Sequence, residues 1–422
     1  MAFNKDEMHA PVWLNERFFE TILKQSEKDA SIVITDCKIV PGSRLGDHFA
    51  SIIFRANIAY QSRGTKNNEI SLIVKTIPED DGVKRDLLKN GEVFETETIM
   101  YTTVVPEMHR LFRSVGDDTE LGPRLLYSSK EPNLVMVFED LTKRNYDTKS
   151  NQLDLQEAKI AYSKLAKWHA ASMHLVNTIP IITKLDKDII TISNDTFNKI
   201  WDNNIAILAK VCREWPGYEA YGDRVDNLRK GICSKTKDIY KFSESTLYNV
   251  LNHGDFHYKN MMYKIIEGKT QDIFLLDYQL SIWGTPAIDI IYSLYLMCSA
   301  ETRNNHRDEL IKFYYDEFVA SLNKFGYLGK IPSLINLHVE ILKNGHLEVF
   351  LASTFLPFMM VPTEEMVGEQ MNKNSDEGIE LFDMNNPEKM AEMLLASYRN
   401  PKYAAAMQKC LPVFLHKGLL DL

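Results

Sequence analysis

The sequence predicts an α+β protein of two unequal lobes, a small five-stranded N-terminal lobe followed by a larger, mostly helical C-terminal lobe. Three observations support this prediction. β-rich runs separated by turn residues fill the first third of the chain, helical periodicity takes over after Glu139-Asp140-Leu141, and a short β-like island interrupts the helical half. A chain of 422 residues with 45% hydrophobic residues is long enough to bury more than one core.

The N-terminal lobe is predicted to span residues 1–138. Apolar residues at helical spacing between Trp13 and Leu23 indicate a short helix lying on this lobe. Turn residues and a polar stretch separate the first three β-rich runs, which is typical of an antiparallel meander. The predicted strands cover residues 32–40, 50–60, 70–77, 124–127 and 134–138, and one helix from Gly91 to about Phe112 precedes the last two.

The C-terminal lobe is predicted to span residues 139–422, with residues 139–142 as the hinge between the lobes. The change from strand to helix patterns after Leu141 is the clearest domain boundary in the chain. The predicted helices cover residues 155–175, 195–212, 221–242 and several segments from Pro286 onward, and the strand island covers 247–251, 261–265 and 273–276.

Composition excludes several classes of protein. A net charge of −9 argues against a protein that binds the phosphate backbone of nucleic acids. The five cysteines are odd in number and form no C-x-x-C pair, so neither a disulfide framework nor a zinc ribbon is indicated. There is no run of about 18 uncharged apolar residues and no apolar signal-peptide core near the start. We therefore expect a cytoplasmic protein with no nucleic-acid or membrane partner, and a monomer by default.

The segment from His253 to Asn260 concentrates polar residues between two apolar, strand-like runs. In kinase chemistry an aspartate accepts the proton of the attacking hydroxyl, and an asparagine five residues later holds a magnesium ion. Asp255 and Asn260 have this spacing, so Asp255 is the candidate catalytic base and Asn260 a candidate metal ligand.

A second carboxylate follows the buried-strand run Ile273–Leu276. Asp277 ends this run, and hard divalent cations prefer oxygen ligands of this kind. A hairpin of the runs at 261–265 and 273–276 would bring Asn260 and Asp277 close together. Asp277 is therefore the second candidate ligand of Mg²⁺.

Candidate nucleotide-binding residues lie in the N-terminal lobe. Lys75 ends an apolar strand and is the candidate to contact the α- and β-phosphates of ATP, held by an ion pair with Glu97 on the following helix. Glu92 and Glu95 are weaker candidates for that pair. The turn between the first two strands, which contains Gly46 and Ser51, lies where a phosphate-covering loop belongs, although it has only one glycine and a plain hairpin is an equal alternative.

Together these segments resemble the ecdysteroid kinase-like family, also called the CHK kinase-like family, which is related to choline kinases and aminoglycoside phosphotransferases. The resemblance covers nearly the whole chain. The matching segments are Gly46–Ser51, Val74-Lys75, the helix with Phe94, Glu97, Tyr101 and Pro106, Phe138–Leu141, Leu165–Ser172, His253–Asn260, Leu276–Gln279, and Pro286 with Asp289.

The resemblance implies a protein-kinase-like fold that binds ATP and Mg²⁺ and phosphorylates a hydroxyl group of a small molecule. The family resembles enzymes acting on steroid hormones such as ecdysteroids, or on foreign compounds, so the expected partner is a steroid or xenobiotic alcohol. By resemblance, the adenine would lie against the hinge backbone at Glu139–Leu141, and Asp289 would brace the catalytic loop. The same resemblance assigns Asp255 as base, Asn260 and Asp277 to magnesium, and Lys75 with Glu97 to the nucleotide.

Two features depart from related patterns. The family often has a glycine-containing segment after Leu141, where this chain has Thr142–Tyr146. Protein kinases have an arginine directly before the catalytic aspartate, where this chain has Gly254, and they carry D-F-G and A-P-E segments that this chain lacks. The second departure argues against a protein kinase.

Aromatic residues of the last third have two interpretations. They either line a pocket for an apolar ring system or belong to the core, which is commoner at helical spacing. These residues are Tyr292, Tyr295, Phe350, Phe355 and Phe358.

Two alternative functions remain at this point. His253, Asp255 and His257 alternate as H-x-D-x-H, which is also compatible with a metal-dependent hydrolase, although a further ligand would be required. The other alternative is a non-catalytic ligand-binding protein on the kinase fold, against which the complete catalytic set argues.

Overall fold

The computed structural model of the protein describes residues 9–42, 51–78, 93–186, 195–243, 245–360 and 387–421. These residues form two compact units. The first contains the described residues up to Thr102 together with Gly122–Asp147, and the second contains Thr103–Leu121 and the described residues from Thr148 onward. None of the helices in the described ranges is both long enough and apolar enough to cross a membrane.

The first unit is built on strands, as the sequence predicts. Its elements are α1 (Glu16–Ser26), β1 (Val33–Pro41), β2 (Ile52–Ser62), β3 (Thr65–Thr76), α2 (Val93–Ile99), β4 (Leu125–Ser129), β5 (Val135–Glu139), a 3₁₀ turn (Leu141–Arg144) and β6 (Tyr146–Asp147). Strands β1 to β5 form one antiparallel sheet in the order β1-β2-β3-β5-β4.

Apolar side chains of α1 pack on this sheet. Asn15 caps the helix by accepting a hydrogen bond from the Phe18 backbone N–H. The buried face of the helix, with Phe19 and Ile22, joins a hydrophobic core that contains Phe54 and Val74 of the central strands. This packing places the middle strand β3, and with it Lys75, on a rigid support.

The helix predicted from Gly91 to Phe112 is interrupted in the structure. Helix α2 continues into a π-helical stretch, Met100–Val104, and then into α3, Val105–Ser114. Apolar residues at spacings of three and four predict a helix over this segment but do not reveal the widened turn. The predicted start at Gly91 lies outside the described residues.

The second unit is mostly helical. Besides α3 it contains α4 (Leu155–Leu175), a 3₁₀ turn (Pro180–Lys184), α5 (Asp195–Glu214), α6 (Glu219–Leu228), α7 (Ile232–Tyr240), β7 (Val250–Asn252), β8 (Met261–Ile266), β9 (Lys269–Leu275), β10 (Ile282–Gly284), α8 (Ala287–Leu296), α9 (Ala300–Lys324), α10 (Leu334–Lys343), α11 (His346–Thr354), α12 (Leu356–Met360), α13 (Pro387–Arg399) and α14 (Pro401–His416). Short 3₁₀ turns at Tyr258–Asn260 and Tyr278–Leu280 connect strands of this unit.

Two antiparallel strand pairs frame the predicted catalytic segment. Strands β8 and β9 form the predicted hairpin, with Met261 opposite Leu275. Strand β7 instead pairs with β10, a three-residue strand that the sequence analysis did not predict. The segment 253–260 therefore leaves one strand pair and enters the other.

Candidate active site

Helix α4 fixes the strand that precedes the predicted catalytic segment, residues 253–260. The indole Nε1 of Trp168 donates a 2.6 Å hydrogen bond to the Leu251 carbonyl, and the Leu251 N–H donates to Ser172 Oγ at 2.9 Å. An N-terminal capping box made by Asp154 and Glu157 starts this helix. The matching segment 165–172 thus has a structural task, which is to hold β7 in place.

Asp289, in the first turn of α8, holds the backbone of the catalytic segment. Its buried carboxylate accepts hydrogen bonds from the N–H groups of His253 at 2.6 Å and Gly254 at 2.9 Å. Nε2 of His169, whose other ring nitrogen lies 2.7 Å from the Tyr314 hydroxyl, is 3.1 Å from the same carboxylate. Charge-assisted bonds of this kind are stronger than neutral ones, so the segment has little freedom at its start.

Gly254 has a backbone conformation that excludes any side chain. Its φ angle is +83°, and a Cβ atom added there would lie 1.9 Å from the carbonyl oxygen of Leu280. Because both the left-handed conformation and the close backbone approach require glycine, the arginine of protein kinases has no room at this position.

The Asp255 carboxylate accepts hydrogen bonds on both oxygens. Asn260 Nδ2 donates to Oδ2 at 2.8 Å, the Tyr292 hydroxyl donates to Oδ1 at 2.6 Å, and His257 Nε2 lies 3.3 Å from Oδ1. Burial alone would raise the pKa of this carboxyl, but the charge and hydrogen bond of His257, followed by the hydrogen bond from Tyr292, hold the pKa well below its usual range. Asp255 is therefore ionised across the physiological pH range.

The orientation of the Asn260 side chain follows from its partners. Its Nδ2 donates both to the Asp255 carboxylate and, at 3.1 Å, to the Asp255 backbone carbonyl. Both partners only accept, so the amide nitrogen must face them and the amide oxygen points elsewhere. That oxygen is thereby available as a ligand for a hard cation.

Asp277 follows β9 in a left-handed backbone conformation, with φ 63° and ψ 67°. Residue Leu276, directly before it, is held by two bonds: its N–H donates to the Asn260 carbonyl, and its carbonyl accepts from His253 Nε2, both at 2.9 Å. The hairpin thus brings Asn260 and Asp277 to neighbouring backbone positions, as predicted. An amide oxygen and a carboxylate form an oxygen donor set that fits Mg²⁺.

The predicted ion pair of the first unit is present. Nζ of Lys75, on β3, lies 2.6 Å from Oε2 of Glu97, on α2, and both side chains are buried. Glu95 instead pairs at the surface with Lys130, and Glu92 lies outside the described residues.

The Asp140 carboxylate holds the segment predicted as the hinge through hydrogen bonds. Its carboxylate accepts hydrogen bonds from Ser71 Oγ at 2.6 Å and Arg55 Nε at 2.9 Å on one oxygen, and from the N–H and hydroxyl of Thr142 on the other. Leu141 is buried, and Glu139 Oε1 accepts a hydrogen bond from the Arg124 N–H at 2.8 Å. Glu139 and Leu141 are predicted from the sequence as nucleotide-binding residues, whereas no separate role is predicted for Asp140.

The departure at Thr142–Tyr146 has a structural counterpart. This stretch contains the end of the 3₁₀ turn and Asn145, whose φ of 63° is left-handed. Asparagine adopts this conformation more readily than most residues, so the turn forms here without a glycine. In the turn predicted to cover the phosphates, Gly46 lies outside the described residues, and Ser51 is half-buried directly before β2.

The aromatic residues of the last third are mainly core. Tyr292, Tyr295 and Phe350 are buried, and Phe350 packs edge-on against Trp201 with ring centroids 5.3 Å apart. Phe355 and Phe358 are half-buried. The contact between Tyr292 and Asp255 is not predicted from the sequence. Tyr292 is three residues from Asp289, so both lie on one face of α8. This spacing is the sequence signal that Tyr292 lies near the segment 253–260.

The histidines of the H-x-D-x-H pattern do not converge on a metal site. His253 Nε2 is hydrogen-bonded to the Leu276 carbonyl, and His257 Nε2 lies 3.3 Å from Asp255 Oδ1. Within the described parts of the chain, no three His, Cys, Asp or Glu side chains come together as metal ligands. This arrangement does not favour the hydrolase alternative.

Comparison with protein-family models identifies one family. The model of the ecdysteroid kinase-like family matches residues 45–327, about two-thirds of the chain. A search of curated proteins found no match.

Similar solved structures include three phosphotransferases. The GDP complex of aminoglycoside 2'-phosphotransferase-IIIa shares 12% identity, with a TM-score of 0.40, over 92% of this chain and 99% of that one. An ethanolamine kinase of Plasmodium vivax shares 12% identity, with a TM-score of 0.35, over 82% and 90%. A choline/ethanolamine kinase family protein of Mesorhizobium loti shares 13%, with a TM-score of 0.32, over 86% and 91%.

The family predicted from the sequence agrees with the match to the family model. The first unit has the predicted five-stranded sheet and the predicted lysine–glutamate pair, and the second is the predicted mostly helical one. The match over most of the chain shows that this protein belongs to the ecdysteroid kinase-like family of small-molecule phosphotransferases.

Proposed function

We propose that the protein transfers the γ-phosphoryl group of ATP to a hydroxyl group of a small molecule, with Mg²⁺ as cofactor. The acceptor we propose is a steroid alcohol such as an ecdysteroid, or a foreign alcohol. The observation that carries the proposal is the Asp255 carboxylate with Asn260 bonded to it and Asp277 next to Asn260 across the hairpin.

Asp255 is proposed to orient the acceptor hydroxyl and to take its proton. As the acceptor oxygen forms its bond to the γ-phosphorus, the bond from that phosphorus to the β-phosphate oxygen breaks, and the hydroxyl proton passes to the carboxylate. Phosphoryl transfer has a loose transition state, so a weakly basic carboxylate suffices if its position is fixed. The depressed pKa of Asp255 is compatible with this role, because it keeps the carboxylate free to accept.

The metal and nucleotide are assigned to residues whose chemistry suits them. Asn260 and Asp277 would hold Mg²⁺, which when bound neutralises charge on the β- and γ-phosphates. Lys75, oriented by Glu97, would contact the α- and β-phosphates. The proposed adenine contact is the backbone at Glu139–Leu141, and the proposed phosphate-covering turn is the one that contains Gly46 and Ser51.

A mass-spectrometric screen tests this proposal. The full chain is incubated with ATP and Mg²⁺ and with ecdysteroids, other hydroxylated steroids, phenols and glycosides, and each acceptor is examined for the gain of one phosphate. We expect transfer to at least one of these alcohols, and we expect Asp255→Asn to lose most turnover while it still binds ATP.

The control is Asp272→Asn, on the same hairpin, whose carboxylate pairs with Lys164 and has no proposed role in the reaction. Full turnover in Asp255→Asn would contradict the assigned base. ATP binding without transfer to any acceptor would favour the non-catalytic alternative, and stoichiometric zinc in the purified protein would favour the hydrolase.

A further inference from the structure

The hydroxyl of Tyr292 contacts the carboxylate on which the proposed reaction depends. Tyr292 lies on α8, is 2% exposed, and donates a 2.6 Å hydrogen bond to Oδ1 of Asp255. Asp289, three residues earlier on the same helix, holds the backbone of the segment that carries Asp255. One helix therefore fixes both the backbone and the side chain of the catalytic segment.

The carboxylate of an aspartate rotates easily about its terminal torsion, so its direction depends on its partners. Asn260 holds Oδ2 at 2.8 Å, and among the described residues the other side-chain contact of Oδ1 is the longer one of 3.3 Å with His257. Asn260 also has a proposed second task as a metal ligand. The Tyr292 hydroxyl thus makes a short hydrogen bond of 2.6 Å to Asp255, and it comes from helix α8 and not from the segment 253–260.

We propose that Tyr292 is a positioning residue for phosphoryl transfer, whose hydroxyl holds the Asp255 carboxylate in the orientation that the acceptor hydroxyl requires. This inference rests on the proposed function. It gives a specific task to a tyrosine that would otherwise be one more buried aromatic residue of the core.

The ring of Tyr292 has a separate packing role. It lies nearly parallel to the His257 ring, with an interplanar angle of 22° and ring centroids 6.4 Å apart. Replacement by phenylalanine keeps this ring contact and removes only the hydroxyl. Tyr292→Phe therefore separates the hydrogen bond to Asp255 from the packing against His257.

The same helix supplies a matched control. Tyr295, one turn further along α8, is also buried, and its hydroxyl donates a 2.9 Å hydrogen bond to the buried carboxylate of Glu348. Arg307 and Lys417 also contact Glu348, and none of these residues has a proposed role in the reaction. Tyr295→Phe thus removes a comparable bond on the same helix, made to Glu348 and not to Asp255.

Kinetics of the full chain test the inference, with ATP, Mg²⁺ and an acceptor from the screen. We expect Tyr292→Phe to lower kcat about 10-fold to 100-fold, because a hydrogen bond to a charged group is lost in the transition state. The KM for ATP should stay within about twofold, and Tyr295→Phe should change neither constant beyond about twofold. Thermal unfolding of both variants checks that each is folded.

Two further variants show whether Tyr292 acts through Asp255. In the Asp255→Asn background, Tyr292→Phe should lower kcat by no more than about twofold, because the carboxylate it positions is gone. Incorporation of 4-aminophenylalanine at position 292 keeps a donor and should restore turnover to within about fivefold of the native chain.

Three outcomes would overturn the inference: native kcat in Tyr292→Phe, an equal loss in both backgrounds, or no rescue by the amino group. The last of these remains decisive even if Tyr292→Phe fails to fold, since the amino variant retains both the ring and a donor. A native chain that transfers no phosphate to any acceptor would instead refute the proposed function itself, and the inference with it.

Discussion

Lys75 Nζ lies 2.6 Å from Glu97 Oε2, and both side chains are almost completely buried in the first unit. Removing two charges from water costs several kcal/mol for each ion, which a pair of this kind rarely recovers in full. A buried ion pair is therefore poor evidence for stabilisation. The proposed contact with nucleotide phosphates gives this pair a functional reason instead.

Substitution of this pair should separate stability from nucleotide binding. Lys75→Met leaves the Glu97 carboxylate buried without this cation, and we expect the free energy of unfolding to fall by about 3 kcal/mol. The double variant Lys75→Met/Glu97→Leu should recover most of this loss, because no charge is left behind. Neither variant should bind ATP as the native chain does.

Urea unfolding measures the stability of these variants, and titration calorimetry measures ATP binding. The surface pair of Lys130 and Glu95 is the control, and Lys130→Met should change stability by less than about 1 kcal/mol. Native ATP affinity in the double variant would contradict the role proposed for Lys75.

Gly254 should tolerate no side chain, because a Cβ atom there would lie 1.9 Å from the Leu280 carbonyl oxygen. Gly254→Ala must therefore displace either the catalytic segment or the turn after β9, and we expect turnover to fall at least 100-fold, by analogy with other small displacements of reacting groups. The matched control is Gly268→Ala in the β8–β9 turn, where φ is +74° and no atom lies within 4 Å.

In the control variant Gly268→Ala, the free energy of unfolding should fall by about 1 to 2 kcal/mol, because alanine disfavours the left-handed backbone. Its turnover should stay native. Kinetics and thermal unfolding of the two alanine variants make the comparison. Equal turnover in Gly254→Ala and Gly268→Ala would show that the catalytic segment is not confined as the structure describes.

Much of this architecture could be predicted from the sequence because its signals are local. Strand and helix periodicity gave the five strands of the first unit and the helical second unit. The five-residue spacing pointed to Asp255 and Asn260, and the position directly after a buried-strand run pointed to Asp277. The Lys75–Glu97 pair followed from a charge at the end of an apolar strand.

The contacts that were not predicted are tertiary. A periodic pattern shows that Tyr292 faces the core, but not which group its hydroxyl meets there. The bonds from Ser71 and Arg55 to Asp140 join residues about 70 and 85 positions apart in the chain. Strand β10 is three residues long, too short for a period-two pattern. Such features depend on packing between elements.

Asp289→Asn should weaken the hydrogen bonds that fix the backbone of the segment 253–260. The carboxylate uses one oxygen for the Gly254 N–H and the other for the His253 N–H and His169, whereas an amide offers only one accepting oxygen. We expect a loss of about 2 kcal/mol in the free energy of unfolding, together with reduced kcat. The exposed Asp238→Asn, which breaks only a surface pair with Lys241, is the control. Unchanged stability and kcat in Asp289→Asn would show that the two backbone bonds are dispensable.

His109 should make the stability of the chain depend on pH. Its Nε2 accepts a 2.9 Å hydrogen bond from the Leu121 N–H, so this nitrogen must be unprotonated in the folded state. Burial, aided by the charge of Arg113 and of Lys164 and opposed by that of Glu120, lowers the pKa of His109 from 6.5 to about 4. Between these two pH values the unfolded chain binds a proton that the folded chain does not. The free energy of unfolding contributed by this group is therefore complete above about pH 6.5 and is lost as the pH falls towards 4.

The variant His109→Gln tests this, since glutamine can still accept the hydrogen bond from Leu121 but does not titrate. Between about pH 7 and pH 5 the native chain should lose about 2 kcal/mol more of its free energy of unfolding than the variant does. Urea unfolding at both pH values measures the difference, and exposed His338→Gln, which leaves His109 intact, should keep the native pH dependence. The comparison cancels the carboxylates that titrate over the same range, because all three chains share them. An identical pH dependence in the native chain and His109→Gln would mean that the buried imidazole is not held unprotonated by its surroundings.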